Sequence, residues 1–443
     1  MRRRGCQQPV IWLALLSTLI LLSIESGVSA GPSSEPVFVS QLFINDISQP
    51  STTDPAQEKS SMPTLESYWK AIGQIQGTFY SADAQAPPNI RTLTYAAIRG
   101  VLSSLNDPYT RFLSPEQFRE MQNENRGSFP GIGVELQSLA GRILIAQIVP
   151  GSPAAKAPLM TGDELLKVGS TIVSGKTTDA VGALLRGEEG TPVTLTVLRG
   201  GKTLVFALVR KEVTYPHFES RVMDGSIGYM HLLMFDEQAG ANIAKALTSF
   251  KQRGVRGIIL DLRDNPGGLL NSAVDVASKF IPPGAVVWVQ ERGGQRNSLS
   301  TNDEARTSVH PPLVVLVNHY SASASEIVSG AIKDTHSGVV VGITTWGKGL
   351  VQEIIPLDDD SAIALTTAHY FTPSGTDINL KGVAPDIVVG HIVPEPEDES
   401  SASQKIYDQE RAQVDADQLA RAMAVLAEQI GKAQTDAKLA FKP

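Results

Sequence analysis

Cysteine is nearly missing from this chain: Cys6 is the only one, and it lies in an apolar segment at the N-terminus. Beyond that segment there can be no disulfide, no thiolate nucleophile and no thiolate metal ligand. Clustered positive charge is missing too. The formal net charge is -8, the pI is about 5.5, and no Lys/Arg-rich run occurs beyond the first four residues. That removes the electrostatic footprint of a nucleic-acid binder. No internal repeat is present. The zinc-protease pattern H-E-x-x-H and the nucleophile elbow G-x-S-x-G are both absent. A phosphate loop is present only in part: in "VGITTWGKGL" (residues 341–350), Gly342, Gly347 and Lys348 are spaced G-x-x-x-x-G-K, but Gly349 stands where a Mg²⁺-binding Ser or Thr is required. The following "GLVQEIIPL" reads as a strand where a P-loop needs a helix, so Lys348 is a lysine with no phosphate to hold.

What is present begins with a leader. Arg2, Arg3 and Arg4 precede the apolar run "VIWLALLSTLILLSI", and Val28 and Ala30 supply small residues in an A-x-A-like pattern. The run is shorter than the ~20 residues a spanning helix needs, so residues 1–30 read as a signal peptide cleaved after Ala30. Export to a bacterial periplasm or cell envelope is the expectation, with secretion as a variant. The 42% hydrophobic and 19% charged composition over 443 residues suits two or three soluble domains. Residues 31–61, rich in Ser, Pro, Thr and Gln, read as a flexible linker. Residues 62–125 carry helical periodicity, with Ser114 as an N-cap and Pro115 at the first helical position. Residues 126–212 alternate short β-type runs with Gly and Pro, including a hairpin around Gly200 and Gly201. Residues 213–392 alternate buried-type strands ("GIILDL", "LVVLV", "GVVVGI") with helical segments, which predicts an α/β fold with parallel strands. An acidic linker and a polar, Ala-rich helix (about 403–432) fill residues 393–443.

Chemistry-bearing residues gather in the α/β part. "HYSASASEIVSGAI" places Ser321, Ser323 and Ser325 at a strand-to-helix turn, where a helix N-terminus offers oriented N–H groups to developing negative charge. Ser325, followed by Glu326, reads as the helix cap. Of the seven histidines only His319 lies near these serines in sequence. A lysine is the other base for a serine, provided burial lowers its pKa. Lys348 follows the next buried-type strand, and adjacent parallel strands would bring it and Ser323 to one sheet edge, unless the two loops are unrelated. In "GIILDLRDNPGGLL" the paired glycines Gly267 and Gly268 leave N–H groups open for an oxyanion, or simply make a tight turn. In "FPGIGVELQ" a Gly-Ile-Gly loop before an alternating strand could capture a peptide C-terminus, or could be an ordinary hairpin.

Seven segments in this order, "LNDPYTRFLSPEQF", "GIGVEL", "GSPAAKA", "LDLRDNPGG", "SASASEIVSGAI", "GKGLVQ" and "YFTPSGTDI", resemble the carboxy-terminal processing (tail-specific) proteases. These are serine/lysine peptidases with an inserted PDZ domain, and the resemblance covers about residues 65–389. It implies a crotonase/ClpP-like α/β catalytic core, with an N-terminal helical region and a β-rich PDZ domain at 126–212. It makes Ser323 the nucleophile, Lys348 the general base and Gln352 the group that orients the lysine. The oxyanion hole would be formed by the N–H of Ala324 and of Gly267 or Gly268. Gly131, Ile132, Gly133 and Val134 would bind the peptide. No metal or organic cofactor is implied. The expected partners are protein or peptide C-termini, with an adaptor protein or a homo-oligomer left open, no nucleic acid, and membrane contact only through an uncleaved leader. The chain departs from the pattern in the PDZ part, where Ala157-Pro158 replaces Ala-Gly and "KVGSTIV" replaces an Asp-Gly turn. Two other classes compete. One is a catalytically silent PDZ scaffold, disfavoured by the intact Ser323, Lys348 and Gln352 set; the other is an acyl-CoA enzyme, which would leave the Ser/Lys pair unexplained.

Overall fold

Two helices of the N-terminal region start where the sequence supplies caps. The computed structural model describes residues 63–80, 89–139, 141–214, 217–302, 311–396 and 401–440; the expected leader and linker lie outside them. Helix α1 (Pro63–Thr78) is followed by α2 (Ile90–Ser103), whose cap Asn89 accepts the Thr92 N–H at 2.9 Å. A short strand, β1 (Arg111–Leu113), interrupts what the sequence read as wholly helical. Ser114 then caps α3 (Pro115–Arg126) in a capping box with Gln117, and Pro115 stands at its first turn as expected.

The β-rich module opens with β2 (Ser128–Gly131) and continues through β3 (Val134–Leu139), β4 (Arg142–Ile148), the short α4 (Pro153–Lys156), β5 (Glu164–Val168) and β6 (Thr171–Ile172). It ends with α5 (Thr178–Leu185), β7 (Pro192–Arg199), β8 (Lys202–Val209) and β9 (Lys211–Thr214). Its sheet runs β3-β4-β5-β7-β8, leaving β3 on an edge, and β2 pairs antiparallel with β9 so that entry and exit form one two-stranded neck. Along β7, Val193, Leu195 and Val197 are buried in alternation and meet Ile145, Leu165 and Val181 in the module's core. Both departures from the PDZ pattern are accommodated. Ala157 turns extended before Pro158, as a pre-proline residue prefers, and the Pro158 carbonyl accepts from Arg199 at 2.7 Å. The β5–β6 hairpin turns through Gly169 and Ser170.

The α/β part contains β10 (Phe218–Met223), β11 (Ile227–Leu232), α6 (Ala239–Gln252), β12 (Gly257–Asp261), α7 (Leu270–Ser278), β13 (Ala285–Glu291) and β14 (Arg296–Ser300). It continues with β15 (Leu313–Val317), α8 (Ala324–Asp334), β16 (Val339–Gly342), β17 (Leu350–Pro356), β18 (Ala362–Phe371) and β19 (Ile387–Val388). The final helix, α9 (Ser401–Ala440), is longer than the sequence suggested. The main sheet has the order β10-β11-β12-β15-β16-β19 and is parallel except for β10. Every residue of β12 and β15 is buried because both faces are covered. Ile258, Leu260, Val315 and Val317 face α6, α7 and α8. Ile259, Val314 and Leu316 face α9 through Ala422, Val425 and Leu426. A second, antiparallel sheet, β1-β18-β13-β14 with β17 on β18, draws the N-terminal β1 into the α/β part. Helix α9 is also held by charge: buried Asp261 pairs with Arg263 at 2.5 Å, and Arg263 reaches Asp415 at 3.2 Å. Among the described residues no helix is long and apolar enough to cross a membrane.

Candidate active site

Parallel pairing of β15 with β16 sends two loops to the same sheet edge. The first loop leaves Val317 and enters α8. From residue 321 to residue 332 every residue is buried except Ser323. Ser323 sits at φ 55° and ψ -113°, a conformation L-residues rarely adopt. Strain of this kind at a strand-to-helix turn pushes one side chain outward. Its two neighbours are committed elsewhere: Ser321 Oγ donates to the Leu262 carbonyl at 2.7 Å and Ser325 Oγ to the Asn265 carbonyl at 2.9 Å. The expectation that Ser325 caps the helix is therefore corrected. Helix α8 begins at Ala324, the cap position is Ser323, and the Ser323 N–H is taken by Glu326 at 2.8 Å.

Glu326 ties the two loops together. It is completely buried; its Oε1 accepts from Thr345 Oγ1 (2.5 Å) and the Gly347 N–H (2.7 Å), and its Oε2 accepts from the N–H groups of Ser323 and Lys348, both at 2.8 Å. One carboxylate oxygen thus holds the Ser323 and Lys348 backbones side by side. Burial pushes the Glu326 pKa up, against the pull of the hydrogen bonds it accepts. The Tyr370 hydroxyl, fully enclosed, donates to the Lys348 carbonyl and lies within hydrogen-bonding reach of the Ser323 side chain. The alternative of two unrelated loops is excluded by these contacts. The phosphate-loop reading fails in the structure as well, because β17 and not a helix follows Lys348.

The Lys348 side chain is half-buried. Burial pulls its pKa down to about 8, the Arg111 guanidinium pushes the same way, and Glu326 and Asp107 oppose them. Its Nζ lies 5.1 Å from the centre of the Tyr109 ring. Arg111, Asp107 and Tyr109 come from the segment running into β1, whose "NDPYTRFL" carried no assigned role in the sequence reading. Tyr370 was likewise quoted without a role. Spacing alone could not link the segment running into β1 to Lys348, which follows it by more than two hundred residues. His319 packs its ring against Trp346 and Tyr320 at 5.1 and 5.9 Å between centroids, and burial lowers its pKa. Gln352 stands on β17 beside a bulge, and its amide Nε2 is directed to Thr366 Oγ1 at 3.5 Å; among the described residues no hydrogen bond joins it to Lys348.

The paired glycines approach Ser323 from β12. Gly267 has φ 110°, and a Cβ added to it would stand 2.7 Å from the Ser323 Cβ and 3.0 Å from the Ala324 nitrogen. No other residue fits there without moving the serine. The Gly267 N–H donates to Asn265 Oδ1 at 2.9 Å. Gly268 forms a parallel bridge with Phe235 through its neighbours, the Gly267 carbonyl and the Leu269 N–H, so its own N–H faces away from Phe235.

The Gly131–Val134 loop lies far along the chain and joins the neck strand β2 to the edge strand β3. The Ile132 and Gly133 carbonyls accept from the N–H groups of Ala154 (2.8 Å) and Val149 (3.0 Å), and the Ile132 and Val134 side chains belong to the module's core. Helix α5 packs beside β3, leaving a strand edge and a helix side by side, as in strand-addition peptide sites. The module meets α3 through Arg186 and Glu120, paired at 2.9 Å.

Residues 226–389 match the family model for peptidase family S41 and residues 130–209 that for a PDZ domain. A carboxy-terminal-processing protease of Bartonella bacilliformis is 37% identical over 316 residues, 70% of this chain and 72% of its own. A carboxyl-terminal-processing protease of Synechocystis sp. is 37% identical over 311 residues, 68% of this chain and 72% of its own. The solved structure of a photosystem II D1 C-terminal processing protease is 32% identical, covers 76% of this chain and 90% of its own, and superposes with a TM-score of 0.45. The chain belongs to peptidase family S41, among the carboxy-terminal processing proteases, with a PDZ domain inserted before its α/β core.

Proposed function

We propose that this peptidase is an exported serine endopeptidase that takes hold of the C-terminal tail of a protein substrate with its PDZ domain and cleaves near that tail with Ser323 and Lys348. The observation that carries the reading is the Glu326 carboxylate, which pins the one incompletely buried residue at the start of a buried helix beside a lysine whose pKa is drawn down to about 8. At that pKa about a tenth of the amines are neutral at pH 7 and about half at pH 8. The neutral amine accepts the Ser323 hydroxyl proton as Oγ attacks the scissile carbonyl. The oxyanion is met by the Ala324 N–H at the helix start and by a glycine N–H. Gly268 suits this better than Gly267, whose N–H is occupied by Asn265. The Lys348 ammonium then returns its proton to the leaving amine, an acyl-enzyme forms on Ser323, and the lysine, neutral again, activates the hydrolytic water. Gln352 would orient the amine after exchanging Thr366 for Lys348.

Substrate capture uses the edge of β3 and the Gly131, Ile132, Gly133 and Val134 backbone, with α5 as the opposite wall. The Arg-rich, apolar N-terminal segment supports export. Cleavage of an apolar-tailed protein, followed by mass spectrometry of its new C-terminus, tests the assignment. Ser323→Ala and Lys348→Ala should each abolish the product, and full activity in either variant would remove that residue from the mechanism.

A further inference from the structure

The loop that carries Gly267 and Gly268 and the turn that carries Ser323 are joined by two bridges. The inner one is Asn265, whose carbonyl accepts the Ala322 N–H (3.0 Å) and the Ser325 hydroxyl (2.9 Å) while its side chain holds the Gly267 N–H. The outer one is reciprocal: the Asp264 N–H donates to Asn318 Oδ1 at 3.0 Å, and Asn318 Nδ2 donates to Asp264 Oδ1 at 2.9 Å. Asp264 has φ 59°, an unfavourable conformation for a residue with a side chain, so it must be held by its surroundings. The remaining oxygen is held from outside the loop. Arg411 of α9 donates from Nη2 to Asp264 Oδ2 at 2.6 Å, and its guanidinium carbon stands 5.6 Å from the ring of Tyr320 in the serine turn. One helical turn further on, Asp415 accepts from Arg263 through its carbonyl (2.9 Å) and its Oδ1 (3.2 Å). Consecutive residues just before the glycines therefore grip α9, and the same arginine touches the serine turn.

We infer that Arg411 is a positioning residue for peptide cleavage: by holding Asp264 against Asn318, it sets the spacing between Ser323 and the N–H groups that meet the oxyanion. The inference rests on the reading of Ser323 as nucleophile. A purely stabilising role fits the pair poorly. The Arg411 and Asp264 side chains are 31% and 40% exposed, and ion pairs so exposed add little to stability. Helix α9 is anchored independently by Ala422, Val425 and Leu426. Rate, by contrast, responds steeply to small displacements between a nucleophile and its oxyanion donors.

The test uses the full-length enzyme with a tailed peptide and a serine-reactive fluorophosphonate. Arg411→Met, which keeps the packing against Tyr320, should lower kcat and the labelling rate together by about tenfold, with KM and melting temperature nearly unchanged. Arg411→Lys should recover part of the loss. Asp264→Asn, which leaves the Asn318 bridge possible but removes the charge, should reproduce the Arg411→Met defect, and the double variant should be no worse than either single one. Wild-type kcat in Arg411→Met, a loss confined to KM, or additive defects in the double variant would overturn the inference. If Arg411→Met does not fold, Asp264→Asn carries the same comparison. Ser323→Ala is measured alongside: activity in that variant removes the nucleophile assignment itself, whereas an inactive Ser323→Ala with a normal Arg411→Met removes only the positioning role.

Discussion

Two glycine-rich loops in this chain use their backbones in opposite ways. In the loop around Gly347 and Lys348, the N–H groups are consumed by one buried carboxylate, Glu326, which leaves the side chain of Lys348 outside that network. In the loop from Gly131 to Val134, the carbonyls of Ile132 and Gly133 are consumed by the N–H groups of Ala154 and Val149 beyond β4, and the side chains of Ile132 and Val134 are sunk in the core. A ligand bound there would meet backbone and the edge of β3. The first arrangement suits a reaction, where one group must be placed closely and its pKa displaced; the second suits recognition of a backbone, where side-chain identity matters less. A Gly-x-Gly or Gly-Lys pattern carries neither meaning until the partners of its N–H and C=O groups are known.

Substitutions that separate the two loops should do so with graded effects. Lys348→Arg keeps a cation but replaces an amine of pKa about 8 with a guanidinium that does not lose its proton; kcat should fall by at least about a thousandfold, with tail-peptide binding by the full-length variant unchanged, as read by fluorescence anisotropy. Glu326→Gln trades an acceptor oxygen for a donor NH₂ inside a buried cluster of N–H groups. It should cost about 3 kcal/mol of stability by denaturant titration and about a hundredfold in kcat. Gly133→Ala would place a Cβ 2.2 Å from the Ser152 Cβ and should distort the recognition loop alone. KM for a tailed substrate should rise by about tenfold, while turnover of a short peptide without the tail stays near wild type. The smallest effect is expected from Arg111→Gln. Removing a cation that helps to lower the lysine pKa should move the alkaline rise of kcat/KM to higher pH by about half a unit, without altering the plateau.

The parts of this molecule that were legible in the sequence are those where local pattern and tertiary role coincide. Strands β12 and β15 are buried on both faces, so "GIILD" and "LVVLV" announce themselves as apolar runs. Ser114 and Pro115 mark the start of α3 because capping is a local matter. Ser323 and Lys348 could be selected because each follows a strand of the parallel pair β15–β16. What stayed hidden depends on partners distant in sequence. Strand β1 is three residues long and takes its pairing from Ala362, Ile363 and Ala364, so nothing local distinguishes it from a helix connection. The sequence around Glu326 suggests a cap but cannot say that Thr345, Gly347 and Lys348 share its carboxylate. Ser325 looks like a cap by the same local signal, yet the helix starts earlier and its hydroxyl is drawn to Asn265. The length of α9 escaped because its polar, Ala-rich sequence lacks an end signal, and its contacts with Arg263 and Asp264 are visible only in three dimensions.

The pH dependence of kcat/KM between pH 5.5 and 9.5, measured on a tailed peptide at constant ionic strength, tests the central claim most directly. The base in this account is active when neutral, and Lys348 has its pKa lowered to about 8 with Arg111, Glu326, Asp107 and Tyr109 as its charged and titratable neighbours. The rate should therefore be low at pH 6, rise through about 8 as the ammonium loses its proton, and level off above it. A profile already flat at pH 6.5, or one whose rise follows the histidine range near His319 and is unmoved by Arg111→Gln, would contradict Lys348 as the base.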